Sequence, residues 1–145
     1  MVQETVDFSE YWALLIDTLQ FRHQAKPTHS LQEIESLVKA FPENIKLFLT
    51  LSSQGTLLAG IVVYINVNVV HVQYVGSSEE GRSVGAVDYL VDELMNKKYA
   101  SKKWFSFGTS AEDAGRSLNQ GLVAQKEGFG ARGVISDHYQ IIISR

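Results

Sequence analysis

The stretch "HVQYVGSSEEGRSVGAVDYLVDEL", His71 to Leu94, holds the residue types best able to do chemistry. It begins as a strand and ends as a helix, with glycines, serines and an arginine in the turn between. The first turn of a helix carries unpaired N–H groups and a partial positive charge, so it offers an anion site. The same composition also suits a tight connection inside an α/β sheet. Two-residue alternation places Val69, His71, Gln73 and Val75 on one face of the strand, and Val70, Val72, Tyr74 and Gly76 on the other. A histidine and a glutamine on one face of an inner strand are costly to bury unpaired. They mark either a polar crevice beside the turn or hydrogen-bonded core positions.

Other chemistries find less support. The histidines, His23, His29, His71 and His138, show no short ligand spacing, so no metal site is expected. There is no G-x-S-x-G elbow and no glycine–lysine–serine/threonine triplet for a P-loop. The chain has 0 cysteines, which removes disulfides, thiolate zinc sites and cysteine nucleophiles. A net charge of −3 argues against a broad nucleic-acid surface, and no DNA partner is expected. The one basic cluster, Lys97, Lys98, Lys102 and Lys103 in "KKYASKK", falls where a helix should end and complements its dipole. The longest apolar run, "LLAGIVVYI", is far short of the roughly 18–20 residues of a membrane span. With no basic-then-apolar leader in "MVQETVDFSEYW", a cytoplasmic location is the expectation.

At 145 residues the chain reads as a single domain, 1–145, able to bury a core. Asp7 with Glu10 suggests a capping box ahead of an apolar stripe of Phe8, Trp12, Leu15, Ile16 and Leu19. Ser30 with Glu33 suggests a second box, followed by Leu31, Ile34, Leu37, Val38 and Phe41 and closed by Pro42. "IKLFLTL", "LLAGIVVYI" and "VVHVQYV" read as three strands joined by short turns, hence an antiparallel meander. A helix over about Ser83 to Lys98 leads to a short buried strand in "KWFSFG". That crossover requires "KWFSF" to run parallel to "VVHVQYV". Ser117 with Gln120 should cap a last helix that ends through the glycines of "GFGARG", and "VISDHYQIIIS" supplies one or two closing strands. The fold class is therefore α/β, a mixed sheet with an antiparallel meander followed by a β-α-β crossover.

This order, together with "HVQYVGSSEEGR", "GAVDYL", "FGTSAEDAG", "LNQGLVAQKEGFGAR" and "PTHSLQEIESLVKAFPENIKLF", resembles the GNAT acyltransferase superfamily in its FemAB-like branch. The resemblance covers nearly the whole chain and implies a GNAT-like acyl-CoA N-acyltransferase fold. It implies transfer of an acyl group, chiefly acetyl, from acetyl-CoA or another acyl-CoA to a small-molecule amine or peptide acceptor. In that reading the loop from Ser77 to Ala86 holds the pyrophosphate. Gly81 and Gly85 allow close approach, Ser83 lies at the helix start, and Arg82 adds a charged contact. The superfamily motif Q/R-x-x-G-x-G/A, read from Arg82, meets Gly85 but then Val87; read from Ser78, it meets Gly81 and Ser83 without the Q/R. Asn119 would reach the pantetheine arm, and N–H groups along Val75 to Ser77 would face the thioester oxygen. His71, whose ordinary pKa lies near neutrality, would be the base, and Tyr74 or Tyr139 the acid. Ser106 stands where relatives of the branch carry an acidic residue. Two other functions follow from the same resemblance. One is aminoacyl transfer from an aminoacyl-tRNA. The other is an inactive half that supports a second GNAT domain or forms a homodimer, since FemAB-like proteins pair two such halves.

Overall fold

The structure, a computed structural model, describes residues 1–135, 137, 139–141 and 143, without the side chains of Arg22 and His23. The chain divides into two compact units, 1–108 and 109–145.

The first unit opens with β1 (Val2–Thr5), a strand that the apolar pattern does not announce. Its residues "VQET" are mostly polar because it is an edge strand, and charge on an edge discourages further pairing. Glu4 sits there between Lys98 at 2.8 Å and Lys46 at 3.4 Å. Helices α1 (Ser9–His23) and α2 (Leu31–Ala40) follow, then strands β2 (Ile45–Leu51), β3 (Leu57–Ile65) and β4 (Val69–Ser77). After β4 come α3 (Glu79–Ser83), α4 (Ala86–Asp92), a π-helical turn at Glu93–Lys98, and β5 (Trp104–Ser106). The sheet order is β1-β2-β3-β4-β5. All neighbours are antiparallel except β5, which runs parallel to β4, as the crossover demands.

Each face of the sheet is covered, which is why β3 is buried on both sides. On one face Phe8 at the head of α1, Tyr11, Trp12 and Leu15 within it, and Ile34 of α2 pack over the sheet and are at most 2% exposed. Burying each such side chain is worth roughly 1.5–3 kcal/mol. On the other face α4 is tied down by Thr50, whose hydroxyl donates to the Ala86 carbonyl at 3.3 Å. Tyr99 meets Phe48 edge-on there, at 6.1 Å between ring centroids.

Several local expectations are corrected. Phe8, not Asp7, is the N-cap of α1; the Asp7 carboxylate accepts from the Ser9 N–H at 2.9 Å, so no Asp7–Glu10 box forms. The Ser30–Glu33 box does form, with Ser30 N–H donating to Glu33 Oε2 at 2.7 Å. The helix expected from Ser83 starts earlier, at Glu79, and is broken by Gly85 at φ +67. β5 is an edge strand and not buried, with Trp104 54% exposed. The basic cluster is engaged within the fold: Lys97 with Glu93, Lys98 with Glu4, and Lys102 with the Asn66 carbonyl at 2.6 Å.

In the second unit β6 (Ala111–Glu112) and β7 (Ser117–Leu118) pair antiparallel around a 3₁₀ turn, and α5 (Gln120–Gly128) follows. Ser117 belongs to β7, so Asn119 takes the N-cap instead and accepts from the Leu122 N–H at 3.0 Å. Gly130, at φ +84, ends α5 as its position predicts. Of the expected closing strands, Ser136, His138, Ile142 and Ser144 lie outside the described residues. The described residues of 134–143 are not in strands.

Candidate active site

The site is shaped by one unpaired residue in β4. Val62 faces Tyr74 and Val63 faces Val72, which leaves Gln73 as a β-bulge. The bulge shifts the alternation of side chains by one position. His71 therefore stands opposite Tyr64, on the face that also carries Val62 and Tyr74. Strict alternation had put His71 and Tyr74 on opposite faces; the bulge brings them to the same one. His71 is half-buried, with Nδ1 3.1 Å from the Ser106 hydroxyl and Cε1 close to Gly108. Ser106 thus occupies its position as a partner of the histidine.

Tyr74 is 8% exposed, its ring near-perpendicular to that of Trp12 at 5.3 Å between centroids and its hydroxyl 2.6 Å from His29 Nδ1. Tyr11 lies across Gly60 and close to Gly76; at Gly60 only glycine leaves room, since a Cβ there would come within 2.3 Å of the Tyr11 ring. The hydroxyls of Tyr11 and Tyr64 are buried, with no hydrogen-bond partner among the described residues. Burial, then the neighbouring Tyr74, pushes both phenols above their ordinary pKa, that of Tyr11 well above it. His29, Tyr11 and Tyr64 are not singled out by the sequence as site residues, and Gln73 is marked there as a polar crevice or core position rather than as a bulge. A histidine in a connector and a bulge in a strand become visible only once the strands are in register.

The backbone of β4 supplies the second feature. Among the described residues, pairing with β5 covers only Val69, Val70 and His71. On the β3 side, Ser78 N–H donates to the Leu58 carbonyl at 2.9 Å, just beyond the pair Ala59–Ser77. Antiparallel ladders alternate, so Gly76 and Tyr74 also point their N–H groups at β3, whereas Val75 and Ser77 point theirs away. Those two N–H groups lie along the edge that β5 leaves uncovered. The Ser77 carbonyl on that edge accepts from Arg82 Nη1 at 2.7 Å and from the Thr18 hydroxyl at 3.3 Å.

The turn after β4 is more structural than its composition suggests. Ser78 caps α3, accepting from the Gly81 N–H at 2.9 Å. Gly81 presses on β3, where a Cβ would lie 2.0 Å from the Leu58 carbonyl oxygen. Ser83 is the last residue of α3, not the first of a helix, and its hydroxyl donates to the Glu80 carbonyl. Gly85 caps α4 in the left-handed conformation and Ala86 begins it, so α4 opens with N–H groups that have no acceptor within the helix. Glu79 and Glu80 crowd the first turn of α3 with negative charge.

The remaining sequence candidates lie in the second unit. Asn119 uses its amide oxygen as the α5 cap and its Nδ2 on Glu112 at 2.7 Å. Tyr139 is 87% exposed, its hydroxyl 3.4 Å from Asp137. Among the described residues no group of His, Asp and Glu could hold a metal ion.

Residues 3–114 match the model of the acetyltransferase (GNAT) domain family. No curated protein matches the chain. Among solved structures, a possible acetyltransferase from Clostridium difficile 630 aligns over 100% of this chain and 98% of its own, at 13% identity and TM-score 0.73. Aminoglycoside 6'-N-acetyltransferase AAC(6')-Ih from Acinetobacter baumannii aligns over 99% of this chain and 100% of its own, at 18% identity and TM-score 0.63. AAC(6')-IG from Acinetobacter haemolyticus aligns over 100% and 99%, at 12% identity and TM-score 0.62. At these identities the likeness is one of fold, and it is the match over 3–114 that decides the family. The chain belongs to the acetyltransferase (GNAT) domain family.

Proposed function

We propose that the protein transfers an acetyl group from acetyl-CoA to the amine of a small molecule. The observation that carries this reading is the uncovered edge of β4 beside the bulge. It sets the outward N–H groups of Val75 and Ser77 on the same strand as His71 and Tyr74. A thioester laid along that edge would direct its oxygen at those N–H groups, which stabilise the negative charge that develops during attack. His71 would take the proton of the attacking amine, with Ser106 orienting its ring. Tyr74 would give its proton to the departing thiolate.

The pyrophosphate of the donor would lie against the loop from Ser77 to Ala86. Arg82 keeps guanidinium N–H groups beyond its bond to Ser77, and Ala86 opens α4 just after Gly85. Gly81 and Ser83 would shape this loop from below, Gly81 by its fit against β3. A pantetheine contact from Asn119 would require its Nδ2 to leave Glu112.

Two of the structural neighbours are named as aminoglycoside 6'-N-acetyltransferases, so an aminosugar belongs in the first set of acceptors. The test is to incubate the protein with acetyl-CoA and an aminoglycoside, a polyamine, an arylamine or an amino acid, and follow thiol release. With 0 cysteines in the chain, a thiol-reactive dye reports coenzyme A alone. Amine-dependent release is the expected result. No release with any acceptor, together with no thermal shift on adding desulfo-CoA, would overturn the reading.

A further inference from the structure

We propose that His29 is a positioning residue for Tyr74, an inference that rests on the acyl-transfer reading above. His29 Nδ1 and the Tyr74 hydroxyl are 2.6 Å apart, and the two rings meet perpendicular at 6.1 Å between centroids. Tyr74 comes from β4 and His29 from the connector between α1 and α2, 45 positions away. Local geometry fixes the histidine. It immediately precedes Ser30, the N-cap of α2, whose N–H and hydroxyl both donate to the Glu33 carboxylate at 2.7 and 2.9 Å. The cap holds the backbone on one side of His29, and Tyr74 holds its ring on the other. With Gln32, Glu33, Ser36 and Leu37, His29 also lines a groove on the protein surface, which gives the imidazole contact with water.

When the thioester C–S bond breaks, the Tyr74 O–H proton passes to the thiolate sulfur and leaves a phenolate. A buried phenolate needs a donor at once. Nδ1–H of His29 supplies it, in a charge-assisted hydrogen bond that strengthens as the proton departs. The phenolate regains a proton from solvent before the next turnover. His29 touches neither donor nor acceptor in this scheme, and its effect passes entirely through Tyr74.

The test compares wild type, His29→Phe, His29→Asn, Tyr74→Phe and the double variant His29→Phe/Tyr74→Phe in the thiol-release assay. The acceptor is whichever amine gives the highest wild-type rate. Acetyl-CoA affinity and melting temperature are measured alongside. His29→Phe should lower kcat at least tenfold, with KM and Kd for acetyl-CoA unchanged. His29→Asn, which keeps an N–H donor near the position of Nδ1, should recover part of the loss even if His29→Phe folds poorly. The double variant should be no slower than Tyr74→Phe, because coupled residues are not additive. Additive losses, no recovery with Asn, or unchanged kcat in an active enzyme would overturn the role of His29 alone. An inactive wild type that does not bind acetyl-CoA would overturn the function and this inference together.

Discussion

His71 and Tyr74 owe their common face to Gln73, which takes no partner in the ladder. Activity should therefore depend on both side chains, while stability depends on them unequally. His71 is half-buried, with its ring on the Ser106 hydroxyl, so His71→Gln should lower turnover sharply yet leave stability within about 1 kcal/mol. That corresponds to a melting shift of about 2–4 °C for a chain of this size. A parallel loss of activity and folded protein would instead mark the histidine as a packing residue. Tyr74→Phe should also slow turnover, whereas the exposed Tyr139→Phe should keep wild-type rates; the reverse order would transfer the acid role to Tyr139. Both residue types were legible in the sequence, but their juxtaposition was not. Alternation predicts faces only while pairing is regular, and a bulge is a property of two strands rather than of one.

At the scale of the element, two short motifs separate local from tertiary information. The Ser30–Glu33 box could be read directly because both residues lie within one turn of helix and interact with each other. Ser30→Ala should destabilise the protein by about 1 kcal/mol, measured by chemical denaturation. The bonds from Ser30 hold the Glu33 carboxyl below its ordinary pKa. A depressed carboxylate stabilises above its unfolded pKa, near 4.5, and loses that effect as pH falls through the folded value. Glu33→Gln should accordingly flatten the acid limb of the stability curve, and an unchanged limb would count against the cap. Gly81 is the opposite case. Its sequence context suggested a ligand, yet its closest neighbour is the Leu58 carbonyl of β3, which has little room to shift. Gly81→Ala should cost roughly 1–3 kcal/mol, the range for overpacking, whatever the donor does. The break at Gly85 escaped periodicity for the same reason that β1 did. A five-residue helix and a four-residue polar edge strand are too short to show a repeat.

Over the whole molecule, burial of phenols couples stability to alkaline pH. Tyr11, Tyr64 and Tyr99 are raised above the ordinary 10.0, chiefly because burial disfavours the phenolate. Tyr99 reaches about 12, with Glu4 of the edge strand adding repulsion. It packs on Phe48 at the end of the π-helical turn, while Tyr11 projects from α1 into the core on the opposite face, so the effect spans both faces of the sheet. A phenol whose pKa is higher folded than unfolded stabilises fully below pH 10, and that stabilisation is lost as pH rises toward its folded value. In the unfolded chain these tyrosines ionise near 10, so each further rise in pH favours unfolding. The melting temperature should thus fall steadily above pH 10, as followed by thermal denaturation at a series of alkaline pH values. Tyr99→Phe removes one of these protons and should shallow the decline between pH 10 and about 12. If Tyr99→Phe melts with the same alkaline slope as wild type, the Tyr99 hydroxyl is already open to water and the packing of the π-helical turn on Phe48 is looser than its geometry implies.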